Sequence, residues 1–205
     1  MPFPSLVKRS CGLSFSGKSK PNLIARVLHF VMLRKAKIVW SRINEFVKGP
    51  MVLDVGMGSG SITYLLKSKG FRVKSVDVGN LSIYEDLKPV IYDGFKIPFK
   101  SEFDLALVVH VLHHCEDGLR VLNEAKRVAK RVILIEDTYR NWLEWLVIAV
   151  SDAVNNGEFW FHKYRKFDDW QKYIERKGWK IIHSDQWSEY GVAAVYGRYC
   201  LFVIE

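Results

Sequence analysis

The stretch Met51–Gly60, "MVLDVGMGSG", passes from an apolar run through one acidic residue to three glycines at alternate positions. "VLDVG" reads as the end of a buried strand and "GMGSG" as the turn into the next helix. Gly56, Gly58 and Gly60 remove the β-carbon where the backbone turns tightly and a ligand comes close. In a parallel sheet, ligands bind beyond the carboxyl ends of the strands, where the strand order reverses. This turn is therefore the first place to look for a binding site.

Working outward, short β-rich runs alternate with helical periods. The pattern predicts strands at 51–55, 71–76, 89–92, 103–109 and 131–136, with helices near 60–68, 118–129 and 140–153. A further helix near 167–177 leads to "WKIIHSDQW" and "RYCLFVIE", two more strands. Such alternation implies βαβ units, an α/β fold and a mostly parallel sheet. Upstream, apolar residues recur at helical spacing from Asn22 to Val47, and Gly49-Pro50 ends that helix. Residues 1–20 show no sustained periodicity and are expected to form a mobile basic arm, ahead of a single domain over residues 21–205 that begins with the helix at 22–47.

A chain of 205 residues and 23.8 kDa is long enough for one well-filled core and short for two. Charge interrupts every apolar stretch before it reaches the ~18–20 residues of a membrane span, so no transmembrane helix is expected. Cys11, Cys115 and Cys200 lie far apart without a C-x-x-C pair. Neither a disulfide framework nor a metal site is indicated, and a reducing cytoplasm is the natural setting. Of the 31 basic residues, ten fall within residues 1–50 beside a single acid, Glu45. The whole net charge of +9 thus resides in that segment. It could meet a phosphate backbone or an anionic lipid surface, or be no more than a solvated face. Arg26 interrupts the apolar run of a secretory signal, whereas an organelle transit segment suits the acid-free, serine-containing residues 1–44 as an alternative address.

Three nucleotide ligands compete for the glycine turn. A phosphate-cradling loop requires a lysine and a hydroxyl residue at its end, and Gly60 is followed by Ser61-Ile62-Thr63. A dinucleotide fingerprint starting at Gly56 would place its third glycine at position 61, which is Ser61. S-adenosylmethionine (SAM) instead brings a cationic sulfonium, an ammonium and a ribose diol, for which carboxylates beside the loop make physical sense.

At this point the sequence resembles the class I SAM-dependent methyltransferase family, small-molecule type, in which the first strand ends as D/E-x-G-x-G-x-G; here it reads "DVGMGSG". The resemblance implies that Asp54 helps to hold the methionine end and that Gly56, Met57, Gly58 and Gly60 pass beneath the cofactor. It places Asp77 of "FRVKSVDVGN" on the ribose hydroxyls, with Val78 beside it, and Asp93 and Gly94 of "IYDGFKIPF" by the adenine. A carboxylate can accept two O–H bonds at once, which suits a vicinal diol. "FDLALVVHVLHHCED", Phe103–Asp117, is similar to the family's segment after the fourth strand and puts Val109 and His110 at the cofactor, with His113 where the family often has Glu. The resemblance covers residues 51–137 well and the flanks loosely. It implies a Rossmann-like, doubly wound, seven-stranded sheet with helices on both faces and the last strand antiparallel.

Methyl transfer from a sulfonium is an in-line displacement from an activated leaving group, so placing the acceptor ~3 Å from the methyl carbon is the main task. A hydroxyl or amine acceptor can use a base, and His110 or His114 titrates in a suitable range. Glu136 and Asp137 close the fifth strand on the same side, and Asp137 joins the candidate catalytic residues. The helix after it, with Trp142, Trp145, Leu146 and Ile148, favours a small apolar or aromatic acceptor, though the same residues could simply pack. RNA or another nucleic acid is the rival acceptor, suited by the basic arm and Tyr164-Arg165-Lys166. Against it, no Asn/Asp-Pro-Pro-aromatic signature follows the fourth strand, which reads "VVHV". The basic helix 22–47 could also rest on a membrane surface. A nucleotide-dependent oxidoreductase and a catalytically silent binding protein remain as alternatives of other classes.

Overall fold

The computed structural model describes residues 23–156, 162–190 and 196–205, so the expected arm over residues 1–20 lies outside the described residues. A helix α1 (Leu23–Ile43) precedes β1 (Met51–Val55), α2 (Ser61–Ser68), β2 (Arg72–Asp77), β3 (Val90–Ile91) and β4 (Phe103–Val109). Then follow α3 (Gly118–Val128), β5 (Ala129–Asp137), α4 (Trp142–Asn156), α5 (Phe167–Arg176), β6 (Ile181–Tyr190) and β7 (Tyr196–Ile204). The seven strands form one sheet in the order β3-β2-β1-β4-β5-β7-β6. β1 to β5 run parallel, and β7 is inserted antiparallel to both β5 and β6. The Rossmann-like doubly wound fold expected from the sequence is the fold observed.

Alternation along the strands explains the two-faced core, because successive side chains of a strand point to opposite sides. Val52, Leu105, Leu107, Ile133, Ile135, Leu201 and Val203 share one apolar cluster with Ile43 of α1 and Leu66 of α2. Their neighbours in sequence, among them Leu53, Ala106, Val108, Leu134 and Phe202, face the other way onto α3 (Val121, Leu122, Ala125) and α5 (Trp170, Ile174). Helices therefore cover both faces, as the continuous hydrophobic runs of the parallel strands require.

Element boundaries shift where local chemistry intervenes. The helix expected over 22–47 ends at Ile43 and continues as a 3-10 turn, Asn44–Phe46. The Asn44 amide donates to the carbonyls of Trp40 and Ser41, closing the last helical turn. α2 starts at Ser61 because Gly60 has φ +79°, outside helical space. The strand expected at 89–92 shrinks to two exposed residues at the sheet edge, whereas the fifth strand extends to Ala129–Asp137, sandwiched between β4 and β7.

The topology settles where a ligand can sit. From β1 the chain winds to β2 and β3 on one side, then crosses back to β4 on the other side of β1. The connections after β1 and β4 therefore diverge and leave a crevice at the carboxyl ends of these two strands. The glycine turn lies on one bank and His110 on the other.

Candidate functional site

Gly56 leaves β1 with its N–H on the carbonyl of Val76 (2.8 Å), and Gly60 closes the turn onto the carbonyl of Met57 (3.0 Å). Gly56, Gly58 and Gly60 have φ of +74°, +52° and +79°, the left-handed region where a β-carbon is unfavourable. Their surroundings differ. A β-carbon on Gly56 would collide with the side chain of Val111, and one on Gly60 would come within 3.0 Å of Ser82 Oγ and 3.3 Å of the Tyr84 ring. One on Gly58 would meet nothing within 4 Å, so this glycine alone of the three borders open space. The Gly58 N–H donates to Asp77 Oδ2 (2.8 Å), and Asp77 Oδ1 accepts from Gly79 N–H at 3.3 Å. Asp77 thereby braces the turn from the neighbouring strand and brings negative charge to the crevice.

Asp54 occupies a different position from the one its place in the motif implies. It is buried beneath the turn and accepts the Thr63 hydroxyl at 2.6 Å, and that hydroxyl is also 2.8 Å from Ser75 Oγ. Burial raises its carboxyl to about 7, against the Thr63 hydrogen bond and with help from the charge of Asp77. Met57 is likewise turned inward, its Cε 3.6 Å from the position a Gly60 β-carbon would take, and Val109 packs in the core cluster under α1. Val78 is exposed and adjoins Gly94, 3.2 Å from its β-carbon position. Asp93 Oδ1 caps its own turn by accepting Phe95 N–H and Lys96 N–H, both at 2.8 Å. Val78 and Gly94 thus meet at the carboxyl edge of the sheet, with Asp77 and Asp93 next to them in the chain, whereas Asp54, Met57 and Val109 are buried behind the turn.

The other bank is the turn after β4. His110 is the sole non-glycine with positive φ (+54°) among the described residues. Such a backbone costs roughly 1–3 kcal/mol and persists only where its surroundings enforce it. Here the enforcement is visible. His110 N–H donates to the Ile135 carbonyl (2.8 Å), its Nδ1 lies 2.8 Å from Asp137 Oδ2, and its ring meets Tyr199 edge-on at 5.3 Å. The turn that follows is held by Glu136, whose Oε1 accepts from Val111 N–H (2.9 Å) and Leu112 N–H (2.7 Å) while Oε2 takes His113 Nδ1 at 2.6 Å. Both partners of that last pair are buried.

Charge organises these groups. Burial opposes a charged His110, but the adjacent Asp137 outweighs it by charge and hydrogen bond, with Glu136 adding, so the imidazole titrates above its usual value. Burial would also raise Asp137, yet His110, His113 and His114 together hold it below the usual carboxylate range. The side chain of His110 remains 35% exposed and that of Asp137 19%, so the pair is reachable from the crevice.

Of the candidate catalytic residues, His110 and Asp137 pair directly, and His114 acts on Asp137 through its charge. It is exposed, its ring 4.1 Å from that of His113 and 4.5 Å from His162. Three participants carried no sequence signal strong enough to single them out. His113 was visible only as a departure from the family pattern, and its partner Glu136 was the clue. Tyr199 reaches His110 through the antiparallel register Asp137↔Tyr199. Tyr84 packs beside Gly60 and binds His29 of α1 (Oη to Nδ1, 3.1 Å), drawing that helix toward the glycine turn.

Comparison with known proteins agrees with this fold. Residues 53–132 match the family model described as a methyltransferase domain. A ubiquinone biosynthesis O-methyltransferase of Thiobacillus denitrificans is 26% identical over 122 residues, covering 54% of this chain and 52% of that protein. An uncharacterized protein of Methanocaldococcus jannaschii is 33% identical over 85 residues, 38% of this chain and 39% of that one. The chain thus matches about half or less of the length of these curated relatives. A SAM-dependent methyltransferase of Archaeoglobus fulgidus shares the fold at a TM-score of 0.64 and 14% identity, over 88% of this chain and 99% of that one. Magnesium protoporphyrin IX methyltransferase of Synechocystis, solved with bound S-adenosylhomocysteine, does so at 0.59 and 17%, over 92% and 90%.

Two outcomes follow from the buried carboxylates. Glu136→Ala leaves two backbone N–H groups and His113 without their acceptor and should lower stability by roughly 3–5 kcal/mol in urea unfolding. Glu136→Gln, which keeps an acceptor oxygen, should cost clearly less. For Asp54, the folded chain retains between pH 3.8 and about 7 a proton that the unfolded chain has released. Its contribution therefore falls as pH rises through that window. The melting temperature of Asp54→Asn should gain on that of the parent from pH 4.5 to 7.5; a constant difference would contradict the assignment.

Proposed function

We propose that this chain is a class I SAM-dependent methyltransferase, as its match to the methyltransferase domain model supports, and that it transfers the methyl group of SAM to a hydroxyl of a small apolar acceptor, with His110 as base. The observation that carries this reading is the His110–Asp137 pair at the mouth of the β1/β4 crevice, held in a strained conformation directly beside the glycine turn. Contact is immediate, since Val111, the next residue, fills the space over Gly56.

The residues present fit the cofactor. Open space at Gly58 admits close approach to the backbone, and Asp77 offers a carboxylate to a ribose diol or to a cationic ligand. Ser61 stands where a dinucleotide fingerprint places its third glycine and carboxylates edge the turn, so a dinucleotide suits it less well. When bound, SAM supplies an electrophilic methyl whose C–S bond breaks with the electron pair passing to sulfur. Asp137 holds Nδ1 of His110, which leaves Nε2 free to take the proton of the acceptor hydroxyl as the new O–CH3 bond forms. Tyr199 and the Glu136-held turn limit where that imidazole can point.

Two features support a small apolar acceptor. α4, which begins shortly after Asp137, leaves Trp142, Leu143, Leu146 and Val150 exposed. Its first turn is tied down by Glu144, which binds Arg140 and, at 3.2 Å, Arg198 of β7. The similarity to an O-methyltransferase favours oxygen as the accepting atom. Among the described residues no helix is long and apolar enough to cross a membrane.

Gly58→Ala adds a methyl that touches no protein atom, so stability should drop by only about 1–2 kcal/mol from its backbone conformation. Calorimetry should nonetheless show S-adenosylhomocysteine bound at least tenfold more weakly; unchanged affinity would overturn the placement. By NMR titration, His110 should show a pKa above 6.5 that falls in Asp137→Asn. Because the base works unprotonated, the rising limb of the pH–rate profile should sit at that elevated value and shift to lower pH in the variant.

A further inference from the structure

A second cavity, of about 600 Å³, lies on the α3/α5 side of the molecule. Small-molecule sites typically measure ~300–1,000 Å³, so its size suits an organic ligand. Phe95, Leu112 and Trp170 contribute apolar wall, and Arg120, Lys163 and Arg165 contribute positive charge. None of Gly56, Gly58, Gly60, Asp77, His110 and Asp137 lines it. The cavity therefore shares none of those residues with the crevice described above; Leu112 belongs to the turn between the two, and Phe95 adjoins Asp93 at the crevice's end.

We infer that this cavity binds a small molecule that joins an oxyanion, carboxylate or phosphate, to a planar apolar body. Three observations carry the inference, the first being the state of the two guanidinium groups. Arg120 lies over the ring of Phe95 (4.9 Å) and Arg165 over that of Trp170 (5.5 Å). Among the described residues neither guanidinium donates a hydrogen bond or meets a carboxylate within ion-pair distance. Arginines backed by aromatic rings are held in orientation while their planar forks stay available, which is what bidentate binding of a carboxylate or phosphate uses.

The second is Trp170, which is 2% exposed and whose indole Nε1 has no hydrogen-bond partner. A buried N–H left unpaired is costly, and this one stands in the wall of the cavity. The third is that the wall is anchored. Lys163 N–H donates to the His113 carbonyl (3.2 Å), Lys163 Nζ to the Glu116 carbonyl (2.7 Å), and the Thr138 hydroxyl to the Arg165 carbonyl (3.0 Å). Glu116 and Asp117 also line the cavity, the latter accepting Arg120 N–H at the start of α3. Three cations against two acids leave the lining net positive, and the acids disfavour a ligand that is anionic at both ends.

The test is an NMR titration of the full chain, ¹⁵N-labelled, with phenyl phosphate, phenylacetate and uncharged benzyl alcohol. The indole resonance of Trp170, assigned by Trp170→Phe, is followed. One or both aromatic oxyanions should shift it saturably and benzyl alcohol should not; which oxyanion binds more tightly tells phosphate from carboxylate. The double variant Arg120→Gln/Arg165→Gln should weaken that binding at least tenfold while still binding S-adenosylhomocysteine. Should the double variant misfold, Arg165→Lys against Arg165→Gln carries the comparison, with tighter binding expected for lysine. No saturable shift with either oxyanion, or equal binding by the charge-removed variants, would overturn the inference, and neither result bears on the cofactor crevice.

Discussion

A single buried carboxylate, that of Glu136, fixes the geometry on which the crevice depends. It accepts two consecutive backbone N–H groups and one imidazole, so the chain leaving β4 is bound to the end of β5 before any ligand arrives. From that knot the consequences spread in both directions along the turn. His110, just before it, is driven into a left-handed backbone and aimed at Asp137; Val111, within it, is pressed against Gly56. Leu112 and His113, at its far side, form the partition between the crevice and the second cavity. A carboxylate can be buried only when it is hydrogen-bonded, and here the three bonds that satisfy Glu136 double as a positioning device.

The other acids at this edge of the sheet divide their labour by environment. Asp54 is buried near a second carboxylate and is pushed toward neutrality, which lets it pack beneath the turn as a hydrogen-bonding strut. Asp137 faces histidines and stays ionised. Asp77 bridges the glycine turn and the start of the next connection. A crevice edged by such carboxylates attracts a cationic ligand and repels a polyphosphate, consistent with a sulfonium cofactor. The second cavity has the opposite sign. One molecule thus presents a negative crevice and a positive cavity on two sides of the turn from His110 to His114.

Much of this was readable from residues alone. The glycine spacing, the acid before it and the acids at the ends of the next strands placed the crevice, since parallel strands put each such terminus on one edge. His110 and Asp137 were legible for the same reason. What stayed hidden depends on register and on distance along the chain. Glu136 reaches the turn because Val109 pairs with Ile135, and Tyr199 arrives from the far end of the chain by an antiparallel pairing. Asp54 looked like a ligand-binding acid because a motif records position and not the direction of a side chain; Thr63 and Ser75 turned it inward. The helix from Asn22 to Val47 looked continuous because its periodicity persists past Ile43, while the capping by Asn44 follows from local hydrogen bonding that apolar spacing does not encode. The cavity lined by Arg120, Lys163 and Arg165 gathers residues from three separate segments and has no sequence signature.

The central claim is that the β1/β4 crevice takes an adenosyl sulfonium and not a dinucleotide. Calorimetric titration of the full chain with SAM, S-adenosylhomocysteine and NADH, each separately, tests it most directly. Saturable binding of the two adenosyl ligands to a single site, with no heat from NADH, is the predicted result. Binding of NADH in their place, or silence from both adenosyl ligands with the protein folded, would contradict it.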